Sequence, residues 1–140
     1  MNSGFNVATD QNDNWRTPAW LFKALDTEFL FDVDGAADES NKLCPCFVRD
    51  IRNNDGFTNG ARVFCNPPYS NIDPFVRRAL AGSDLWVFIL PARTRAAWFE
   101  ALIHSPRTEV RWLRKRIAFD PPPGVEASSP RMDTFIAVVR

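Results

Sequence analysis

The apolar run at residues 85–92 constrains the fold more than any other feature of this chain. Its eight residues are far too few to span a membrane, which takes about 20. Residues 86–90 are continuously apolar, with no alternation of polar and apolar side chains. This pattern is typical of a strand that is covered on both faces, as in a parallel sheet that lies between helices.

Three helices are predicted from their start signals. Thr17-Pro18 places a hydroxyl N-cap before a proline, and Asp73-Pro74 places a carboxylate N-cap before one. Thr94 is the predicted cap of the third helix. Strands are predicted at residues 30–34, 62–65, 85–90, 110–119 and 134–139. This order of strands and helices predicts a three-layer α/β domain. Such sheets bind ligands at the carboxyl ends of their strands.

One domain accounts for the chain. Of the 140 residues, 45% are hydrophobic and 24% are charged, which is ordinary globular composition. Residues 1–14 are polar and contain no Lys or Arg, so we expect a flexible tail followed by a single domain over residues 15–140. Three cysteines are too few for a disulfide framework, which favours a reducing, cytoplasmic setting.

The charge of the chain is balanced overall but unevenly distributed. Residues 1–70 carry six basic and ten acidic side chains, whereas residues 71–140 carry eleven basic and seven acidic ones. Fourteen of the seventeen basic residues are arginine, which binds phosphate bidentately and stacks on bases. The second half is therefore a candidate nucleic-acid surface. The alternative is an ordinary solvated surface, because the pI of about 6.6 is far from basic.

The tetrapeptide Asn66-Pro67-Pro68-Tyr69 directly follows the predicted strand at residues 62–65. Two prolines fix two backbone φ angles and remove two amide donors. The residue before each proline is also restricted to extended geometry. The sequence therefore predicts a stiff turn at a strand end, with an Asn and a Tyr held at fixed relative positions.

Such a turn is suited to activating a weakly nucleophilic amino group. The Asn66 side-chain oxygen and the Pro67 carbonyl can each accept one hydrogen of an NH₂ group on adenine or on an amide. Tyr69 can stack on a planar substrate, which contributes about 1–3 kcal/mol for a base. Positioning and electrostatics then supply the rate. The structural alternative is a Pro-Pro turn whose tyrosine packs on the surface.

The tetrapeptide resembles the catalytic motif of amino-group methyltransferases, and the chain as a whole resembles the phage-type DNA N6-adenine methyltransferases. The resemblance extends from Trp15 to the end of the chain. Its segments are residues 15–18, 31–38, 43–45, 64–70, 90–94 with Trp98-Phe99, and 116–119. It implies a minimal, mostly parallel, three-layer Rossmann-like methyltransferase sheet and S-adenosylmethionine as cofactor. It also implies an adenine flipped out of DNA as substrate, a phage or prophage gene acting in the bacterial cytoplasm, and protection from restriction.

The resemblance also implies roles for individual residues. Asn66, Pro67, Pro68 and Tyr69 form the catalytic loop. The cofactor is held by Asn66 and by Trp15, Thr17, Pro18, Asp34, Gly35, Ala36 and Asp55. The general methyltransferase cofactor loop is richer in glycine than residues 34–38, where Gly35 is the one glycine.

Basic and aromatic residues after the predicted central strand are candidates for holding DNA phosphates beside a flipped base. They are Arg93, Arg95 and Trp98, and a later predicted strand adds Arg111, Arg114, Lys115 and Arg116. The alternative for Arg114 and Arg116 is an ordinary solvated strand face. The spacing of Asp32, Asp34 and Asp38 is compatible with a metal site, but cofactor or capping roles are favoured, so no metal is expected.

Two other functions share these features. Protein glutamine-amide methyltransferases use the same tetrapeptide on a similar NH₂ group. A non-catalytic nucleic-acid binder, left over from a phage enzyme, is the alternative outside enzymes, and the glycine-poor residues 34–38 favour it.

Overall fold

A computed structural model describes residues 15–49, 60–126 and 133–140. The helices are α1 (Ala19–Phe29), α2 (Asp73–Ala81) and α3 (Ala97–Ile103). The strands are β1 (Val33–Asp34), β2 (Cys46–Phe47), β3 (Arg62–Cys65), β4 (Leu85–Pro91), β5 (Thr108–Trp112) and β6 (Thr134–Val139). The tail expected at residues 1–14 lies outside the described residues.

The described strands form one sheet in the order β2-β1-β3-β4-β6-β5. β1 pairs in parallel with β2 and β3, and β3 pairs in parallel with β4, with Arg62 opposite Leu85. β6 pairs antiparallel with both β4 and β5, and places Trp86 opposite Val139. Five of these strands therefore run in one direction and β6 runs against them. The prediction of an α/β, mostly parallel sheet is confirmed.

Hydrophobic clusters cover both faces of the sheet, because side chains of one strand alternate between them. On one face, α2 and α3 pack over Val63, Cys65, Trp86, Phe88 and Leu90. On the other face, α1 packs over Phe64, Val87, Ile89, Ile136 and Val138. Residues 86–90 are each at most 1% exposed. Burial of both faces therefore accounts for the continuous apolar run, as the sequence predicted, and each large side chain contributes about 1.5–3 kcal/mol.

The structure corrects several predicted boundaries. Leu30 ends α1 with a left-handed φ of 54°, so the predicted strand at residues 30–34 is reduced to β1. The strand predicted at residues 110–119 begins at Thr108 and ends at Trp112. β2 was not predicted. The prediction of Thr17, Asp73 and Thr94 as side-chain caps is wrong. Pro18, Ile72 and Ala96 occupy the N-cap positions without side-chain cap bonds.

The helices of the described residues are too short or too polar to cross a membrane, since the longest, α1, has 11 residues. In these same parts of the chain, no three His, Cys, Asp or Glu side chains cluster as metal ligands.

Candidate active site

A cavity of about 290 Å³ opens at the carboxyl ends of β1 and β3. Sheets of this kind bind ligands at that edge. Five residues predicted to hold a cofactor line it: Trp15, Thr17, Asp34, Ala36 and Asn66. Pro18 and Gly35 are buried but are not among its lining residues. Asp55 lies outside the described residues.

Asp34 is the last residue of β1 and presents a buried carboxylate to the cavity. It is 3% exposed. Its Oδ1 accepts a hydrogen bond from the Ala36 N–H at 3.2 Å, and its Oδ2 accepts one from the Leu43 N–H at 3.1 Å. Burial raises the pKa of Asp34 above its ordinary value of 3.8, while these two N–H donors act to lower it. A carboxylate so placed favours a ligand that brings an ammonium or hydroxyl donor.

Gly35 is required by packing against the sheet. Its N–H donates to the Phe64 carbonyl at 2.7 Å, which joins the turn to β3. A Cβ at this position would lie 2.9 Å from Val63 Cγ1 and 3.1 Å from Trp86 Cζ3. The small residue therefore allows the turn to lie against the core, beneath the cavity.

Gly35→Ala is expected to lower the free energy of unfolding by about 1–3 kcal/mol, because the added methyl overpacks the contact with Val63 and Trp86. Urea denaturation checks this. Gly82→Ala is the matched control, since a Cβ there meets the Arg78 carbonyl at an ordinary 3.5 Å and φ is −97°. A Gly35→Ala protein as stable as wild type would contradict the packing role.

The Asn66 side chain links the loop of residues 66–69 to the segment before α1. Asn66 is half-buried, and its Nδ2 donates to Thr17 Oγ1 at 3.0 Å. Thr17 is 7% exposed, lies before α1 in the chain, and also lines the cavity. The hydroxyl predicted to cap the helix therefore bonds to the loop instead.

Tyr69 is held in the core, with 8% of its surface exposed. Its hydroxyl donates to the Ile89 carbonyl at 3.3 Å, and burial raises the pKa of Tyr69 well above its ordinary range. The Arg93 guanidinium lies 5.8 Å from the ring centroid and donates to the Tyr69 carbonyl. Phe119 meets the ring edge to face at 6.2 Å. The alternative of a surface-packed tyrosine is therefore wrong, and one face of the ring is covered by Arg93.

The residues predicted to contact DNA occupy different environments. Arg95 and Arg116 are exposed, and Arg116 pairs with Asp133 at 2.9 Å. Trp98 is 6% exposed and packs against Phe99 within the core. The prediction that Trp98 contacts DNA is therefore corrected, because its ring is buried against the sheet by α3.

Arg111 is held by two acidic side chains. It contacts Glu28 at 2.6 Å and Glu109 at 2.5 Å. Arg111 is therefore engaged by carboxylates of the chain itself, and residues 114–116 lie beyond the end of β5.

Sequence reasoning missed several residues that line the cavity. They include Arg16, Asn41, Lys42, Leu43 and Asp120. Arg16 and Asp120 exchange two backbone hydrogen bonds, of 2.7 and 2.9 Å, which hold the segment before α1 beside the loop after β5. The polar Asn41-Lys42 pair close after residues 34–38 was the available signal. The Arg16–Asp120 pairing joins distant parts of the chain, so no local sequence signal indicates it.

The sheet and the cavity define an α/β protein with a cavity at the ends of neighbouring parallel strands. The family model described as "DNA N-6-adenine-methyltransferase (Dam)" matches residues 4–138. The chain belongs to this DNA N-6-adenine-methyltransferase family. No solved structure matches the chain significantly.

Two phage proteins are similar to the chain, and both are named DNA N-6-adenine-methyltransferase. The protein of Haemophilus phage HP1 is 31% identical over 121 residues, which cover 81% of this chain and 70% of the relative. The protein of Escherichia phage T1 is 29% identical over 123 residues, which cover 84% of this chain and 51% of the relative. The chain thus spans about half the length of the second relative.

Proposed function

We propose that this chain transfers a methyl group from S-adenosylmethionine to the exocyclic N6 amine of adenine in DNA. The observation that carries the proposal is that Asn66, after β3, and Asp34, at the end of β1, line the same cavity. An amine-activating residue and a cofactor-binding carboxylate are therefore neighbours. Membership of the family and the names of both relatives support the same reaction.

The proposal includes a minimal Rossmann-like (class I) methyltransferase fold. The parallel strands β2-β1-β3-β4 and the cavity at their carboxyl ends support it. We place the activity in the cytoplasm of a bacterial host, from a phage or prophage gene, because both relatives are phage proteins.

The cavity fits the cofactor chemically. S-adenosylmethionine carries an ammonium group and ribose hydroxyls, which match the buried acceptor Asp34. It also carries a carboxylate, and the buried Trp15 Nε1 has no hydrogen-bond acceptor among the described residues. An indole N–H is a donor only, so an anionic ligand group would satisfy it. Trp15, Asp34 and Ala36 would hold the cofactor.

When bound, S-adenosylmethionine supplies an electrophilic methyl group on sulfur, with a neutral thioether as the leaving group. The chain supplies orientation and hydrogen bonding. Asn66 Oδ1 and the Pro67 carbonyl accept the two amine hydrogens, which raises electron density on a nitrogen whose lone pair is delocalised. The two prolines keep these acceptors fixed. The proton that nitrogen loses on methylation passes to water.

Stacking of the flipped adenine on Tyr69 requires Arg93 to move from the covered face of the ring. We propose that Arg93, with Arg95 and Arg116, contacts DNA phosphates. A phosphate attracts a guanidinium through charge and paired hydrogen bonds, so it is a suitable competitor for the Tyr69 carbonyl.

Cofactor affinity is expected to fall in acid as Asp34 becomes protonated. The ionised carboxylate is the stronger acceptor, so affinity is full above the raised pKa of Asp34 and declines as the pH falls through it. Titration of the cofactor over a range of decreasing pH, followed by protein fluorescence, measures this decline. Asp34→Asn should bind more weakly with little pH dependence. A wild-type affinity that is constant over this range would contradict the role of Asp34.

Label transfer tests the function directly. Purified protein is incubated with methyl-labelled S-adenosylmethionine in two reactions. One contains DNA of varied sequence, and the other contains a mixture of proteins. The proposal expects label in DNA, recovered as N6-methyladenine after digestion to nucleosides. Label on cytosine, on protein glutamine, or on no acceptor would refute it. Salt-sensitive DNA binding without cofactor binding would support the non-catalytic alternative.

A further inference from the structure

The hydrogen bond between Asn66 and Thr17 has a consequence for the reaction. Resting on the proposed function, we infer that Thr17 is a positioning residue for methyl transfer. Its hydroxyl binds Asn66 Nδ2 at 3.0 Å and so directs Oδ1, the acceptor atom, to the target amine.

The orientation of the Asn66 amide decides whether the site can work. An asparagine side chain has an acceptor oxygen on one side and a donor NH₂ on the other. A target amine offers hydrogens, so only the oxygen can bind it productively. A rotation by a half-turn would set two NH₂ groups against each other. The hydrogen bond to the buried Thr17 hydroxyl holds the Asn66 side chain with Nδ2 facing Thr17 and Oδ1 on the opposite side.

Thr17 is itself held from both sides. The preceding residue, Arg16, exchanges two backbone hydrogen bonds with Asp120. The following residue, Pro18, has a fixed φ of −58° and starts α1, where its carbonyl accepts the N–H groups of Leu21 and Phe22 at 3.1 and 3.2 Å. The hydroxyl makes no cap bond to the helix. It is therefore a fixed group whose described partner is Asn66.

Substitution of Thr17 distinguishes an effect on the orientation of Asn66 from an effect on cofactor affinity. Thr17→Val removes the hydroxyl and nearly preserves the shape. We expect kcat on DNA to fall by about 30-fold, as for the loss of one buried hydrogen bond, with the dissociation constant of S-adenosylhomocysteine changed by less than about threefold. Thr17→Ser retains the hydroxyl and should restore kcat to within about threefold of wild type. Thr27→Val, on the exposed side of α1, is the control for loss of a threonine hydroxyl.

A double-mutant cycle tests whether Thr17 acts through Asn66. Thr17→Val should change kcat by less than about twofold in an Asn66→Ala background, because the group to be oriented is gone. The Asn66 side-chain ¹H–¹⁵N signals supply a readout without turnover. They should exchange with solvent about tenfold faster in Thr17→Val than in wild type.

The outcomes distinguish the two proposals. If wild type labels DNA but Thr17→Val has unchanged kcat, equal effects in both backgrounds, or a large loss of cofactor affinity alone, the positioning role is overturned and the proposed function stands. If wild type binds cofactor and labels no DNA, the proposed function fails, and the positioning role fails with it.

Discussion

Asn66→Ala is expected to lower kcat for DNA methylation by about three orders of magnitude, because the substitution removes an oriented acceptor at the reacting nitrogen. The cofactor dissociation constant should change by less than about threefold, since the main cofactor contacts are assigned to Asp34 and Trp15. Single-turnover label transfer at saturating cofactor and DNA measures the effect.

Asn71→Ala is the matched control for this experiment. Asn71 is an exposed asparagine in the same turn, and its backbone N–H, which donates to the Pro68 carbonyl at 3.0 Å, is retained. Its kcat should stay within about twofold of wild type, as expected for a surface substitution. Turnover by Asn66→Ala at the wild-type rate would show that another group activates the amine.

Asp34→Ala is expected to weaken cofactor binding by about 100-fold, because a buried charged hydrogen-bond acceptor is lost from the cavity wall. The N–H groups of Ala36 and Leu43 lose their acceptor as well. The free energy of unfolding should therefore fall by about 1–3 kcal/mol. Calorimetric titration and urea denaturation measure the two effects separately.

Asp32→Ala is the matched control for Asp34. Asp32 is an exposed carboxylate two residues earlier, and it accepts a hydrogen bond from the Arg62 N–H at 3.1 Å. Its loss should affect stability slightly and cofactor affinity by less than about twofold. Equal cofactor affinity in wild type and Asp34→Ala would remove Asp34 from the site.

The sequence predicted the features that repeat along the chain or have special backbone chemistry. The apolar residues 86–90 identified β4, and residues 62–65 identified β3 with its correct bounds. The prolines after β3 then placed Asn66 at a strand end, beside the cavity. These signals are local, so no knowledge of distant contacts was required.

Features that depend on distant contacts could not be predicted in the same way. β2 has two residues, too few to show a period of two. Thr17 follows a local capping rule in sequence, but a partner 49 residues away binds its hydroxyl in the structure. Trp98 stands after a strand end, where ligand contacts are expected, yet α3 begins at Ala97 and turns the ring into the core.

The reversed strand β6 has a consequence for how the protein is assembled. It lies between β4 and β5, and all six of its residues are buried. During synthesis both of those neighbours leave the ribosome before residues 134–139 do. Until then β4 and β5 each have one edge that lacks its backbone hydrogen-bond partner. Hydrogen exchange on ribosome-bound chains should show that β5 gains protection only when β6 is available. We therefore expect that half of the sheet to form late, when β6 inserts between β4 and β5, which have been synthesised before it.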